Sequence, residues 1–367
     1  VYLQRLFLMN YRNVRQADLQ FSPKINCFLG RNGMGKTNIM DAIHYLSFCR
    51  SSLSSVDSQI ILHGTDMMML QGTYSGDAGD VTEIACSFKP GGRKQFRRDT
   101  KEYRKFSDHI GLIPLVMISP DDVNLISGGS DERRRFMDVV ISQYDREYLG
   151  HLINYNKALT QRNALLKSET AQDEEIFIML ESVLDRSASV IYERRREFVM
   201  QLVPHFQRLY GRIGGESEQV VLAYSSHLER GALADMLCEW RPKERIVGYS
   251  LHGIHKDELE MTLDGYPIRR EGSQGQSKSY LIALKLAQYL YLAEVCNGRR
   301  PLLLLDDLFD RLDSSRVSRI LQVVSDDAFG QIFITDTSTQ RIGDIMREVG
   351  GDNRHFNLNG NILTQMQ

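Results

Sequence analysis

An α/β fold with mixed sheets and a second, helical lobe is predicted by three features of this 367-residue chain. A glycine-rich loop stands between an apolar run and a helical segment near the start. An apolar run ending in two aspartates stands near the other end, and a long stretch with apolar residues at three-and-four spacing separates the two.

In chain order, Leu3 to Leu8 and Ala17 to Phe21 read as strands around a turn at Asn10 to Asn13, and Ile25 to Leu29 reads as a buried strand. Gly30-Arg31-Asn32-Gly33-Met34-Gly35-Lys36-Thr37 follows with the spacing G-x-x-x-x-G-K-T, and Asn38 to Phe48 reads as a helix. Glycines let backbone N–H groups wrap phosphate, Lys36 reaches the β and γ phosphates, and the Thr37 hydroxyl ligates Mg²⁺. The helix N-terminus adds its dipole to the same anion. The expected ligands are ATP and Mg²⁺, with Gly30 to Asn38 in contact.

Alternating and branched residues recur to about Ile118, with turns at Ser75 to Asp80 and Pro90 to Gly92. From Asp131 the spacing becomes helical, over Asp131 to Tyr148, Leu149 to Lys167 and Glu174 to Val203, with an acidic link at Ser168 to Glu175. Strands return at Val220 to Tyr224, Ile246 to His252 and Leu259 to Leu263, then a turn at Gly265-Tyr266 and a helix over Lys278 to Val295. The expected division is a discontinuous head of residues 1–130 and 221–367 around a helical arm of 131–220.

Leu302 to Leu305 followed by Asp306-Asp307 is a buried strand delivering two carboxylates, one for the metal (Asp306) and one toward the attacking water (Asp307). Two helix-capping aspartates would look similar in isolation. Gly272-Ser273-Gln274-Gly275-Gln276 precedes the long helix, and Ser273 and Gly275 offer hydroxyl and backbone donors to a phosphate, with Gln276 beside them. The order of these motifs is that of an ABC-type ATPase head, in which this loop completes the site of a partner protomer. Catalytic roles therefore fall to Lys36, Asp307, Ser273 and Gln276. Asp310 and Asp313 fit either an interface loop or a cap for the helix near Ser314, and Ile332 to Thr337 reads as the last buried strand.

Further segments carry a resemblance: Asn10-Tyr11-Arg12-Asn13, Ser119-Pro120-Asp121-Asp122, Arg133-Arg134-Arg135-Phe136, Gln161 to Lys167 and Gly253-Ile254-His255-Lys256-Asp257. With the ATPase motifs, they make the chain resemble, over nearly its whole length, the RecF family of bacterial recombination mediators in the ABC/SMC ATPase class. Two departures are Ile254-His255-Lys256-Asp257, where the family usually has Pro-His-Arg-Asp, and Asp41 in place of its usual glutamate. The resemblance implies a short arm without a long coiled coil, and an ATP-dependent homodimer on double-stranded DNA near single-strand gaps. It also implies work with RecR and RecO in loading the recombinase, and slow DNA-stimulated ATP hydrolysis.

Net charge is only −2, so a nucleic-acid contact must come from local patches. Arg93 to Phe106 supplies one: Arg93, Lys94, Arg97, Arg98, Lys101, Arg104 and Lys105 against two acids, interleaved with Phe96, Tyr103 and Phe106. The same hairpin fits a charged edge strand that resists aggregation. Arg133 to Arg135 and Arg194 to Arg196 are further candidates. Five cysteines far apart argue against a disulfide framework or zinc site and are expected as buried thiols. No apolar run is long enough for a bilayer, so a cytoplasmic, nucleoid-associated protein without membrane contact is expected. Two rivals share the motif order: a transporter-type ATPase subunit, usually shorter and lacking this arm, and a dimerising switch with negligible turnover.

Overall fold

The protein is described by a computed structural model covering residues 1–76, 79–168, 174–215, 218–296, 298–309, 312–338, 352–359 and 362–366. Two compact units emerge, Val1–Asp122 with Leu284–Gln367, and Val123–Ala283. In chain order the first segment holds β1 (Tyr2–Tyr11), β2 (Val14–Gln20), β3 (Ile25–Leu29), α1 (Lys36–Phe48), β4 (Met68–Ser75), β5 (Val81–Phe88), β6 (Gln95–Arg98), β7 (Lys101–Glu102) and β8 (Leu115–Ile118). The second unit holds α2 (Asn124–Ser127), α3 (Ser130–Ile141), α4 (Arg146–Lys167), α5 (Glu174–Ile213), β9 (Val220–Ser225), α6 (Leu233–Val247), β10 (Glu258–Leu263), β11 (Tyr266–Pro267) and α7 (Ile268–Glu271). Helix α8 (Gln274–Val295) begins in the second unit and ends in the first, which closes with β12 (Leu302–Asp306), α9 (Ser314–Val324), β13 (Ile332–Asp336), β14 (Asn353–Asn359) and β15 (Ile362–Met366).

Two sheets build the first unit. One is antiparallel in the order β2-β1-β4-β5-β6-β7; the other runs β15-β14-β3-β13-β12-β8 and is parallel except for the β14–β15 pair. Strands β3, β12 and β13 are buried throughout, which is why they read as mostly apolar runs instead of alternating ones. Strand β1 faces the core on one side only, burying Leu3, Leu6, Leu8 and Tyr11. Helix α1 packs against both sheets, so its apolar residues extend round most of its circumference. The chain leaves this unit at Asp122 and returns at Leu284, and Lys285 Nζ donates to Asp122 Oδ1 at 2.9 Å across the two crossings. Asp122 also accepts from the Ser119 backbone N–H at 2.7 Å, which accounts for the Ser-Pro-Asp-Asp segment as a junction.

The second unit is organised by α5, whose 40 residues bury a stripe including Phe177, Leu184, Ile191, Phe198 and Phe206. Strands β11-β10-β9 form a small antiparallel sheet in the same unit. The strands after residue 220 and the start of α8 thus group with the helices, where the sequence reading assigned them to the head.

Other elements also differ from expectation. Ile246 to His252 is no strand: it covers the last turn of α6 and the loop after Gly248, whose φ of 77° ends the helix. Ile246 is 86 % exposed, and Val247 and Tyr249 are exposed too, so the apolar letters that suggested a strand lie on the surface. The helix expected over Asp131 to Tyr148 breaks after Ile141, and Asp145 starts α4 by accepting from the Tyr148 N–H at 2.9 Å. Helix α5 continues to Ile213 through Pro204. Strands β14 and β15 follow the one expected to be last. Among the described residues no helix is long and apolar enough to cross a membrane, and Cys238 is exposed while the other four cysteines are buried.

Candidate nucleotide-binding site

Parallel pairing brings the working residues to one edge. Register aligns Asp306 with Thr335 and Leu29 with Asp336, so β3, β12 and β13 end together where the P-loop turns into α1. Gly35 caps α1 at φ 97°, and a Cβ there would meet Asn13 Oδ1 at 2.7 Å, so only glycine fits. Asn13 in turn accepts from Asn38 Nδ2 at 2.7 Å, tying the turn after β1 to the loop. Arg31, Asn32 and Gly33 are exposed, Met34 is half-buried, and Lys36 is buried. Lys36 Nζ donates to the carbonyls of Gly30 at 2.6 Å and Arg31 at 3.1 Å.

Behind the loop, Asp306 Oδ1 accepts from Thr37 Oγ1 at 3.1 Å and from Thr335 Oγ1 at 2.7 Å, while the Asp307 N–H donates to Thr335 Oγ1 at 2.8 Å. Burial pushes the Asp306 carboxyl up, against the two hydroxyl donors that lower it. Burial pushes the Lys36 ammonium down, against the pull of Asp307, Asp306 and Asp336. Asp307 sits on left-handed backbone at φ 47°. A hydroxyl and a carboxylate with only oxygen donors fit the coordination preference of Mg²⁺. The loop's open side, with nothing within 4 Å of a Cβ built at Gly33, fits a phosphate chain. The expected Gly30 to Asn38, Asp306 and Asp307 are thus brought together within one unit.

Sequence reasoning missed what supports this loop. Asp41 is fully buried on α1 and accepts from Tyr11 Oη at 2.7 Å, Arg12 Nε at 3.0 Å, Ser51 Oγ at 2.7 Å, and the Ser52 N–H and Oγ at 2.6 and 2.7 Å. Burial alone would raise its pKa, but the hydroxyl donors and Arg12 outweigh it and the carboxyl sits low. The signal was an aspartate set within the apolar stretch Ile39 to Ile43 of the helix.

Ser273, Gly275 and Gln276 stand at the start of α8 in the second unit. Ser273 is exposed, its backbone N–H donates to Gln276 Oε1 at 2.8 Å, and its Oγ accepts from the Gln276 N–H at 3.2 Å, a reciprocal helix cap. Asp313 caps α9, accepting from the Arg316 N–H at 2.9 Å, and Asp310 lies outside the described residues. The Gly253 to Asp257 segment is a packing hub: Asp257 is buried and accepts from Arg195 at 2.8 Å, Ser226 Oγ at 2.6 Å and the Tyr224 hydroxyl, while His255 Nδ1 bonds the Tyr155 hydroxyl at 2.7 Å. Lys256 lies over the Tyr249 ring.

The candidate phosphate-contacting residues sort by exposure. Arg93, Arg97, Arg98, Lys101, Arg104 and Lys105 are exposed on or beside the β6–β7 edge. Lys94 is withdrawn from that set: it pairs with Asp57 at 2.8 Å, donates to the Cys49 carbonyl at 2.8 Å, and lies against the Tyr45 and Phe106 rings. Phe96 is buried and packs against Tyr103, Phe106 and His109, and Tyr103 also packs against His109. Of the arm triplet, Arg195 is buried, Arg194 pairs with Asp145 at 2.9 Å and Arg196 with Glu193 at 2.6 Å. Arg133 pairs with Glu258 at 2.5 Å and Arg134 donates to the Asp257 carbonyl, leaving Arg135 exposed. Ion pairs thus take all three arginines of the arm triplet, whereas of Arg133 to Arg135 one is ion-paired and one bonds a backbone carbonyl.

The RecF/RecN/SMC N terminal domain family matches residues 2–351. The chain is similar to the DNA replication and repair protein RecF of Phocaeicola vulgatus, 52 % identical over 363 residues and covering 99 % of this chain and 98 % of that one. It is 47 % identical to the RecF of Porphyromonas gingivalis over 98 % of this chain and 99 % of that one. Among solved structures it is similar to the recombination mediator protein RecF-ATP of the RecFOR pathway, with a TM-score of 0.89 at 27 % identity, covering 100 % of this chain and 98 % of that one. A Pyrococcus furiosus Smc head domain at 17 % identity and TM-score 0.60, covering 100 % and 96 %, shares the fold.

Proposed function

The chain belongs to the RecF family, within the wider RecF/RecN/SMC group, and from that premise we propose an ATP-gated clamp on duplex DNA beside single-strand gaps. It is an ATP-binding protein of recombinational DNA repair with an ABC-type head. The observation that carries the finer reading is the exposed, capped Ser273: its oxygen accepts the Gln276 N–H, leaving its own O–H free to donate to a phosphate held by a second protomer.

Lys36 and the P-loop backbone would bind the triphosphate, and Thr37 and Asp306 would hold Mg²⁺. The metal, when bound, offsets charge on the phosphate oxygens. Asp307 polarises water, and Ser273, Gly275 and Gln276 close the site from the partner. The exposed arginines and lysines at 93, 97, 98, 101, 104 and 105 contact DNA phosphates. RecR and RecO are the proposed partners, since the similar solved structure is of a RecFOR-pathway protein. Asp307 carries one methylene fewer than glutamate, which favours slow turnover and keeps a nearly non-hydrolysing switch as the second reading. Turnover with and without duplex DNA separates the two.

Molar mass in solution, measured by light scattering for apo, ADP and ATP states with and without a gapped duplex, tests the clamp. A dimer that forms with ATP, and more readily on DNA, is expected; a mass indifferent to ATP would overturn it. For Asp307→Asn, which keeps a residue tolerant of left-handed backbone, retained ATP binding, turnover lowered by about a hundredfold or more and a longer-lived dimer are expected; a monomer at saturating ATP would contradict the assigned role. If three to five patch charges touch phosphate, log affinity for duplex should fall with log salt at a slope of about −3 to −5. Arg97→Glu with Arg98→Glu should flatten that slope, whereas Lys94→Gln should act on stability and leave it unchanged.

A further inference from the structure

The reciprocal cap at the start of α8 has a third member. Gln276 Nε2 donates to Glu218 Oε1 at 2.8 Å, and the other Glu218 oxygen, Oε2, accepts from the Tyr210 hydroxyl at 2.5 Å. A backbone N–H can only donate and a carboxylate can only accept, so the Gln276 amide has one permitted orientation: oxygen toward Ser273, nitrogen toward Glu218. That orientation fixes Ser273 as well, because the same pair of residues makes both bonds of the cap.

Glu218 also connects the loop to the arm. Tyr210 is fully buried near the C-terminal end of the 40-residue α5, against Phe206 and Tyr280, and Tyr280 on α8 donates to the Val221 carbonyl at 2.9 Å. Gln207, one turn back on α5, donates to the Val220 carbonyl at 3.2 Å. A displacement at the end of α5 therefore reaches the phosphate-facing loop through one carboxylate with a hydrogen bond on each oxygen.

We infer that Glu218 is a positioning residue of the ATPase, setting the Ser273–Gln276 loop for a partner's nucleotide and linking that loop to the end of the arm helix. The inference rests on the composite-site reading above. Glu218 touches no nucleotide in this scheme; it acts through Gln276. Glu218→Ala frees the Gln276 amide to rotate and loosens the cap, whereas Glu218→Gln keeps an acceptor for Gln276 and a donor for the Tyr210 oxygen.

Full-length Glu218→Ala, Glu218→Gln, Tyr210→Phe and Ser273→Arg would be compared for binding of a fluorescent ATP analogue, ATP-driven dimerisation by light scattering, and turnover with duplex DNA. In Glu218→Ala, analogue affinity should match the parent while turnover and the dimer association constant fall on the order of tenfold, the scale of misplacing a group that acts at a distance. Glu218→Gln should recover to near the parent, and Tyr210→Phe, which keeps the packing, should fall between. Fluorescence of Trp240, the chain's single tryptophan, reports whether the second unit remains folded. Parent-like dimerisation and turnover in both Glu218→Ala and Tyr210→Phe, beside a defective Ser273→Arg, would overturn the positioning role alone. Normal turnover in Ser273→Arg would instead remove the composite site, and the inference with it.

Discussion

Lys36→Met is expected to weaken ATP binding by about a hundredfold, roughly 3 kcal/mol, the worth of one or two charge-assisted contacts to phosphate. Methionine nearly matches the lysine stem in length and apolarity, so α1 should form normally. What disappears is the ammonium that now bonds the Gly30 and Arg31 carbonyls. Those carbonyls belong to the loop proposed to receive the phosphates, so on that proposal Lys36 would exchange two neutral acceptors for charged ones when ATP enters. Burial pushes this ammonium's pKa down, and the nearby carboxylates of Asp307, Asp306 and Asp336 pull against that shift. Calorimetric titration checks the loss, and ATP-driven dimerisation should vanish with it. An affinity within threefold of the parent would mean that the backbone cradle alone carries binding.

Arg195→Ala is expected to destabilise the second unit by about 3–5 kcal/mol, the cost of leaving the buried Asp257 carboxylate without its cation. Arg195 is 1 % exposed and donates to Asp138 at 2.8 Å, to Asp257 at 2.8 Å and to the Ile254 carbonyl at 2.9 Å. It holds α5, α3 and the Gly253 to Asp257 segment in one arrangement. Arg196→Ala is the control: its partner is half-exposed Glu193 on the same helix, and such pairs contribute at most about 1 kcal/mol. Urea unfolding followed by Trp240 fluorescence reads the second unit. Equal midpoints for the two variants would contradict the hub role of Arg195.

The parts of the site that sequence revealed share a physical origin. A P-loop and a two-aspartate strand are written in consecutive residues, because a phosphate cradle needs backbone of fixed conformation and a parallel strand buried on both faces needs an unbroken apolar run. What escaped was made by distant partners. Asp41 gained its meaning from Tyr11, Arg12, Ser51 and Ser52, and no local pattern pairs them. The arginine triplets looked like nucleic-acid contacts because charge is visible in sequence while its neutralisation by Asp138, Asp257 and Glu258 is not. Lys94 was lost from the basic patch for the same reason, taken by Asp57. Ile246 to His252 failed in another way: branched and aromatic residues there were read as a strand, and Ile246 lies exposed at a helix end.

The strand that launches the P-loop is bordered on both sides by strands encoded far later. Ile25 on β3 pairs with Ile332 on β13 and with Asn353 on β14. On the ribosome, β3 must wait roughly 15 to 60 s for its first neighbour at the usual pace of synthesis, about 5–20 residues per second. During that interval an apolar strand and a glycine loop emerge without the sheet that makes them a site. Closing so long a loop late also makes the parallel sheet a slow-forming part of the molecule. A chain interrupted before β13 therefore carries Gly30 to Asn38, Asp306 and Asp307 but lacks the strand that borders β3 and the Thr335 hydroxyl that bonds Asp306.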